Sequence, residues 1–439
     1  MAETPRTSPL DRRLNIRAIG ILTSLSRSRS VPMTYRHPVL IACAILLLAL
    51  AAGLGVVAYF SCDSDYPYME VAPGAVVPKL SLHKTIHLER GAGSIVAMAF
   101  SPNNRYVAIG YSQAVLSTSV KVWDLKRDKE QSHFVCPPKT DPLCLSTGGQ
   151  LLWSKDNQTI LLTNESTSHR TRFDAITGQV LPALPIQGRS GRLNRDGSRL
   201  LTRDGSILEG SYSINIYDTQ NWSLQQLPVD GLSVVSAAWT YDDKILVGAQ
   251  GNRQTIGKTI DGFTIAHHVD QAFRVLDPKG KEATKSIWFA AVPDTRPNHF
   301  PWMSSSTVLI RASDLTSGRV ALDGARIIDT TTMTIFDYLS DEEKKSAKIG
   351  WFGGQVFSPD GKYLFTKDAG RFDNKRPVTN AIFDAATGKR LALFGGESGT
   401  NHEGIAISPD GTMLALGNVN SVQILKMKPQ PSLSSGVER

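Results

Sequence analysis

Cysteine is scarce, with only four in 439 residues: Cys43, Cys62, Cys136 and Cys144. So few and so scattered thiols exclude a disulfide-stapled miniature fold and a multi-cysteine zinc framework. Cys136 and Cys144 bound the Pro-containing segment CPPKTDPLC, where an oxidising compartment would permit a loop-stapling disulfide, the alternative being two free thiols. Catalytic signatures are lacking as well. The chain has no Gly-x-Ser-x-Gly elbow, no His-Glu-x-x-His, no phosphate loop and no dinucleotide fingerprint, so no enzyme class and no cofactor is suggested by motif. The one metal-like grouping is His267 and His268 ahead of Asp270. Neighbours on an extended segment face opposite ways and cannot easily share an ion, so these read as surface histidines of a long loop, with no metal expected.

An excess of positive charge is also missing from most of the chain. The net charge is +8, but residues 1–37 hold Arg6, Arg12, Arg13, Arg17, Arg27, Arg29 and Arg36 against Glu3 and Asp11, which is 7 − 2 = +5 and leaves +3 for the other 402 residues. A nearly neutral body with interspersed charges argues against a nucleic-acid partner.

Long hydrophobic runs are absent with one exception, PVLIACAILLLALAAGLGVVAYF, residues 38–60. At about 1.5 Å per residue such a helix spans roughly 34 Å, enough to cross a hydrocarbon core. Arginines precede it, while Asp63, Asp65 and Glu70 follow it. The positive-inside rule then puts the amino terminus in the cytoplasm and the rest outside, in a bacterium the periplasmic side of the inner membrane. Three other readings compete. A start at Met33 would make the run a signal sequence with Cys62 as a lipidation point, although Tyr59 and Phe60 fit poorly before it; the leader could instead be a transit peptide, or Arg12-Arg13 a twin-arginine signal.

What the chain has in quantity is repetition. A short β-branched or aromatic run closing on Asp recurs: VKVWD (Asp124), TRFD (Asp174), INIYD (Asp218), FRVLD (Asp277), ARIID (Asp329), NAIFD (Asp384) and VQILK, where Lys426 takes the acidic place, at spacings of 42 to 59 residues. Before each lies a polar turn and an apolar strand: FSPNNRYVAIG (100–110), WSKDNQTILLT (153–163), LNRDGSRLLT (193–202), WTYDDKILVG (239–248), MSSSTVLIR (303–311), FSPDGKYLFT (357–366) and ISPDGTMLAL (407–416). Asp-Gly and Asn-Asn tips supply the positive φ of a tight hairpin. The repeated acids read as Asx-type turn caps rather than catalytic groups.

Four-stranded units of about 50 residues cannot hide both faces alone, and stacking them radially gives a closed ring. The expected fold is all-β, a seven-bladed β-propeller over residues 80–428 behind a single transmembrane α-helix, 38–60. A cytoplasmic leader (1–37), a linker (61–79) and a disordered tail (429–439) complete the chain. The last unit offers only three strands, and LSLHKTIHLERG (80–91) is free to supply its fourth.

These units resemble WD40 repeats and their relaxed bacterial relatives with the Ser-Pro-Asp-Gly-Lys hairpin, as in TolB-like periplasmic propellers; VKVWDLKRD and IFDAATGKRLALFGG lie closest to the pattern. The chain departs from it too. Gly-His pairs are missing, only Trp123-Asp124 is a true Trp-Asp ending, and His402 is the sole candidate for the family histidine. The buried tetrad that braces such blades is therefore expected to be absent.

In a propeller of this family the connections from the hairpin to its partner strand share one face with the crossings between blades, and lengthened loops there carry binding. The expected insertions are 112–119, 164–171, 204–213, 251–271, 313–325 and 369–377, with a long crossing at 293–303. They would display Arg253, Lys258, His267, His268, His299, Phe300, Trp302, Arg371, Phe372 and Arg376, residue types common in hot spots. The expectation is a non-enzymatic scaffold that binds a protein partner or an envelope polymer, held to the membrane by its helix. A hydrolase or lyase acting at the channel mouth, or a purely structural envelope component, are the alternatives.

Overall fold

The computed structural model describes residues 69–89, 92–113, 117–136, 149–163, 170–204, 213–229, 233–250, 254–258, 264–268, 270–284, 286–290, 310–322, 326–337, 354–367, 379–395, 404–418 and 420–428. The leader, the apolar run 38–60 and the tail 429–439 lie outside these residues.

Each recurring motif forms one antiparallel sheet, and the seven sheets form a seven-bladed β-propeller. Blade 1 runs Ala92–Phe100, Tyr106–Gln113, Ser117–Asp124 and Lys129–Val135; blade 2 has Gln150–Trp153, Thr159–Thr163 and Thr171–Asp174. Blade 3 follows with Arg189–Leu193, Arg199–Arg203, Ser213–Asp218 and Leu224–Pro228, and blade 4 with Ser233–Trp239, Ile245–Gln250, Asp270–Leu276 and Ile287–Ala290. Blade 5 comprises Ile310–Ser313, Arg319–Leu322, Arg326–Asp329 and Thr334–Asp337. Blade 6 has Gln355–Phe357, Tyr363–Thr366, Thr379–Asp384 and Arg390–Gly395, and blade 7 Ile405–Ile407, Met413–Gly417 and Ser421–Lys428. The first strands of successive blades touch in one unbroken circuit, that of blade 7 meeting that of blade 1.

Closure uses the strand that precedes the first hairpin. Lys79–His87 pairs antiparallel with Ser421–Lys428, from Lys79 opposite Lys428 to His87 opposite Ser421, and becomes the fourth strand of blade 7. Ile86 and Leu88 then pack with Ile95, Val422 and Ile424 between blades 7 and 1.

The hairpin turns follow from local chemistry. Five residues separate the first two strands in every blade. In blade 6, Ser358 Oγ donates to Asp360 Oδ1 at 2.6 Å and accepts from the Tyr363 amide at 2.9 Å, while Gly361 sits at φ 68°. Asn104, Asn157, Gly197, Asp243 and Gly411 take the same left-handed position, the residue types for which it is least strained. The strand-ending acids cap the outer turns: Asp124, Asp174, Asp218, Asp329 and Asp384 each accept from amides two and three residues on.

Three expectations need correction. The hairpin of blade 5 is not at 303–311; its strands are Ile310–Ser313 and Arg319–Leu322, so most of the supposed insertion 313–325 is its turn and second strand. The supposed insertion 112–119 is mostly strand, with Gln113 opposite Ser117. The supposed linker is structured from Met69 onward. Met69–Val71 adds a fifth strand to blade 6 against Arg390–Gly395, and a turn over 72–75, with Pro73 second and Gly74 third at φ 73°, leads into Val77, which is 2% exposed. Blade 2 is lean by comparison, its outer position holding only an isolated bridge from Phe173 to Val180.

Two truncations separate the roles of the amino-terminal strands. Starting the chain at Lys79 removes the fifth strand of blade 6 and the buried Val77, and should lower the free energy of unfolding in urea by about 2 kcal/mol while keeping one cooperative transition. Starting it at Ala92 also removes the closing strand, and the cooperative transition should be lost.

Candidate functional site

Within a blade the strands alternate in direction, so the links between strands one and two and between three and four lie on one face, the turn face. Links between strands two and three, and the crossings to the next blade, lie on the other, the connection face. On this second face the chain varies. Strands two and three are joined closely in blades 1, 5 and 7 and by longer segments in blades 2, 3, 4 and 6.

The segment expected to be a loop in blade 4 contains a hairpin. Gln254–Lys258 pairs with Thr264–His268 as a two-stranded sheet that belongs to no blade, with His267 opposite Thr255, His268 opposite Gln254 and Lys258 opposite Thr264. Arg253, His299, Phe300, Trp302, Arg371, Phe372 and Arg376, and with them His402, Cys62 and Cys144, lie outside the described residues. Cys136 is disulfide-bonded, and no other cysteine falls among those residues.

Sequence reasoning missed the polar groups that meet at this face. In blade 1 the buried Lys121 ammonium contacts Glu89 Oε1 at 2.8 Å and Glu130 Oε2 at 2.9 Å. Tyr111, fully buried, donates its hydroxyl proton to Glu89 Oε2 at 2.8 Å and meets His133 Nε2 at 3.2 Å. Glu89 comes from the crossing out of blade 7, so the cluster also ties the closing strand to blade 1. Burial alone would raise the Glu89 carboxyl, but hydrogen bonds from Lys121 and Tyr111 outweigh it and hold the group below its ordinary value. Burial would likewise lower the Lys121 ammonium, and the two carboxylates overcome that and raise it.

A second group lies on blades 2 and 3. Arg170, at the start of the third strand of blade 2, donates through Nη2 to Gly188 O at 2.6 Å and Ser190 O at 2.7 Å. Those carbonyls lie where the chain enters the first strand of blade 3, whose register shifts between Arg189 and Arg192, and Gly188 and Ser190 both have positive φ, 93° and 57°. Burial pushes the Arg170 guanidinium down to about 10. Within blade 3, Asp204 accepts from Asn215 Nδ2 at 2.7 Å, Ser213 Oγ at 3.0 Å and Gln226 Nε2 at 3.1 Å. Arg192, farther along that first strand, reaches the carbonyl of Ile310 in blade 5 at 3.0 Å.

These groups hold one another. A lysine between two carboxylates, a guanidinium on backbone carbonyls and an aspartate saturated by amides and a hydroxyl fix crossings and bulges; they make the connection face a rigid platform under its longer segments. The Lys121 cluster left a faint trace in the sequence. VKVWD is apolar on both faces except for Lys121, and a charge there requires counter-charges from neighbouring strands.

The cluster sets a pH window. Glu89 is lowered, so its contribution is present above its unfolded value and lost as pH falls below about 4.5; Lys121 is raised, so its contribution is present below about 10.5 and lost as pH climbs past its folded value. Glu89→Gln should flatten the acid limb of stability measured by urea titration at pH 3 to 6. The double change Glu89→Gln/Glu130→Gln leaves the buried Lys121 charge uncompensated and should cost about 3 kcal/mol at neutral pH, more than Lys121→Met.

No protein-family model matches the chain. A search of curated proteins likewise finds no significant match, so the functional reading rests on the fold and on this face.

Proposed function

We propose that this chain is a membrane-anchored, non-enzymatic propeller of the WD40-like type that binds a protein partner through its connection face, on the periplasmic side of a bacterial inner membrane. One observation carries the reading: blade 4 extends an extra hairpin, Gln254–Lys258 with Thr264–His268, from the face that also bears the longer segments of blades 2, 3 and 6. Such a hairpin adds nothing to blade closure. A two-stranded sheet that pairs with no blade offers strand edges of the kind that recognise another polypeptide by β-addition. The anchor is argued from the apolar run 38–60 and its arginine-rich flank, and the neutral balance of the remaining residues favours a protein over a nucleic acid.

The test is capture of partners by the full chain from detergent-solubilised membranes. Replacing residues 252–269 by Asn-Gly, and separately Trp302→Ala and Arg371→Ala, should each weaken capture of the same partner by about tenfold or more, with the melting temperature moving by no more than about 2 °C. Undiminished capture by all three variants sinks the assignment of the face; a matching loss of stability would place Trp302 and Arg371 in the core instead. For placement, protease added to spheroplasts should digest the propeller while an amino-terminal tag stays protected. Survival of the propeller in sealed spheroplasts would overturn it.

A further inference from the structure

The outer rim of blade 2 departs from that of every other blade, each of which has a full fourth strand. In its place the chain reads QVLPALPIQ, residues 179–187. Regular pairing goes no further than the bridge at Val180 and the Leu181 amide, which donates to Arg172 O at 2.8 Å. Proline explains the stop, because Pro182 and Pro185 carry no amide proton and cannot continue a ladder. Each proline also fixes its own φ and holds the residue before it out of the α region, so Leu181, Pro182, Leu184 and Pro185 are confined to an extended conformation.

Burial along this segment follows a period of three. Leu181 and Leu184 are half-buried, while Val180, Pro182, Ala183 and Pro185 are exposed. Three residues per turn is the repeat of the polyproline II helix, which makes no internal hydrogen bonds. One edge, Leu181 with Leu184, faces the propeller; the other two, Pro182 with Pro185 and Val180 with Ala183, face water. Val180 is 57% exposed, more than any other large apolar side chain among the described residues.

The segment is held in this posture. Leu184 and Ile186 pack with Leu161, Leu200 and Tyr217, and Arg172 Nη2 donates to Pro182 O at 3.2 Å. Just beyond, the Gln187 amide donates to the Tyr217 hydroxyl at 2.7 Å, and its carbonyl accepts from Thr202 Oγ1 at 2.8 Å. A partner would therefore meet a ridge that folding has already ordered, which lowers the entropy lost on binding.

Chemistry narrows the occupant. No charged residue lies between Gln179 and Gln187, so nothing here recognises phosphate, nucleic acid or an anionic headgroup. A strand-adding partner finds too few amides, with two prolines present and the Leu181 amide engaged. Six residues at about 3.1 Å each give a ridge of about 19 Å, far short of the roughly 800 Å² per partner of a stable two-fold dimer. An aromatic-lined groove suits a short, apolar, pre-extended ridge with prolines three apart.

We propose that Val180–Pro185 is a docking ridge for a second protein, one whose aromatic-lined groove takes a polyproline II segment and reads the Pro182/Pro185 and Val180/Ala183 edges. The ridge lies on the rim of blade 2, away from the extra hairpin of blade 4, so either assignment can fail without the other.

A benzophenone amino acid placed at Ala183 of the full chain, irradiated in native membranes, should cross-link one protein. That protein, purified, should bind a free peptide of residues 179–187. Pro182→Ala/Pro185→Ala in the peptide should weaken binding at least about tenfold, whereas Leu184→Ala, on the edge that faces the propeller, should change it by less than about twofold. The peptide arm does not depend on how the full-length variant folds. An adduct only with lipid or with a second copy of this chain, no adduct at all, or a cross-linked protein indifferent to the two prolines overturns the proposal.

Discussion

Every blade of this propeller has to bury both faces, and that requirement governs the rest. Third strands show it most plainly: Ile327 and Ile328, or Ala381, Ile382 and Phe383, are successive residues pointing to opposite faces, and all are fully buried. A lone blade would leave both of those faces in water, at about 1.5 to 3 kcal/mol for each large side chain. Only a neighbour on each side removes the penalty, and only a closed ring gives every blade two neighbours. The strand Lys79–His87 is the last element of that closure. It covers the outer edge of Ser421–Lys428 and brings Ile86 into the seam with blade 1.

Once the blades are pressed together, polar groups between them must find partners across the seams. Trp153 Nε1 donates to Ala99 O at 3.1 Å and Trp239 Nε1 to Arg192 O at 3.0 Å, each joining the first strand of one blade to that of the preceding blade. Ser132 Oγ reaches Ala175 O at 2.6 Å between blades 1 and 2, beneath the stacked rings of Phe134 and Phe173, whose centroids are 4.9 Å apart. The Glu89–Lys121 pair does the same work with charge. It joins the crossing out of blade 7 to the third strand of blade 1.

The repeats were legible because their signals are local. A Ser, Asp and Gly within four residues make a turn wherever they occur, and an Asp closing a strand caps the next turn using amides two and three residues on. Blade 5 escaped for the same reason. Its turn, Asp314 to Gly318, has the usual five residues, but the left-handed position falls on the fifth, Gly318, instead of the fourth, and the polar run Ser304 to Thr307 offered a false tip just upstream. The three-residue strand Met69–Val71 carries no pattern that could announce it. Glu89 and Lys121 are 32 residues apart and meet only after closure, so the cluster was invisible to spacing. The hairpin of blade 4 was seen as length but not as structure, although Asp261-Gly262 within GKTIDGFTIAHH is the same Asp-Gly signal that marks the blade hairpins.

The two faces differ in what they can evolve to do. On the turn face the first links have one length in all seven blades and their atoms are tied by Asx and Ser bonds, so its outline cannot wander. On the connection face the links range from three residues between Gln113 and Ser117 to nineteen between Gln250 and Asp270. Length there costs little, because loop-closure entropy grows only logarithmically, while the platform beneath is held by Lys121, Arg170 and Asp204. Variation in reach over a fixed base is the arrangement by which a repeat scaffold gains a partner without endangering its ring, and it explains why the departures from repetition cluster on that face.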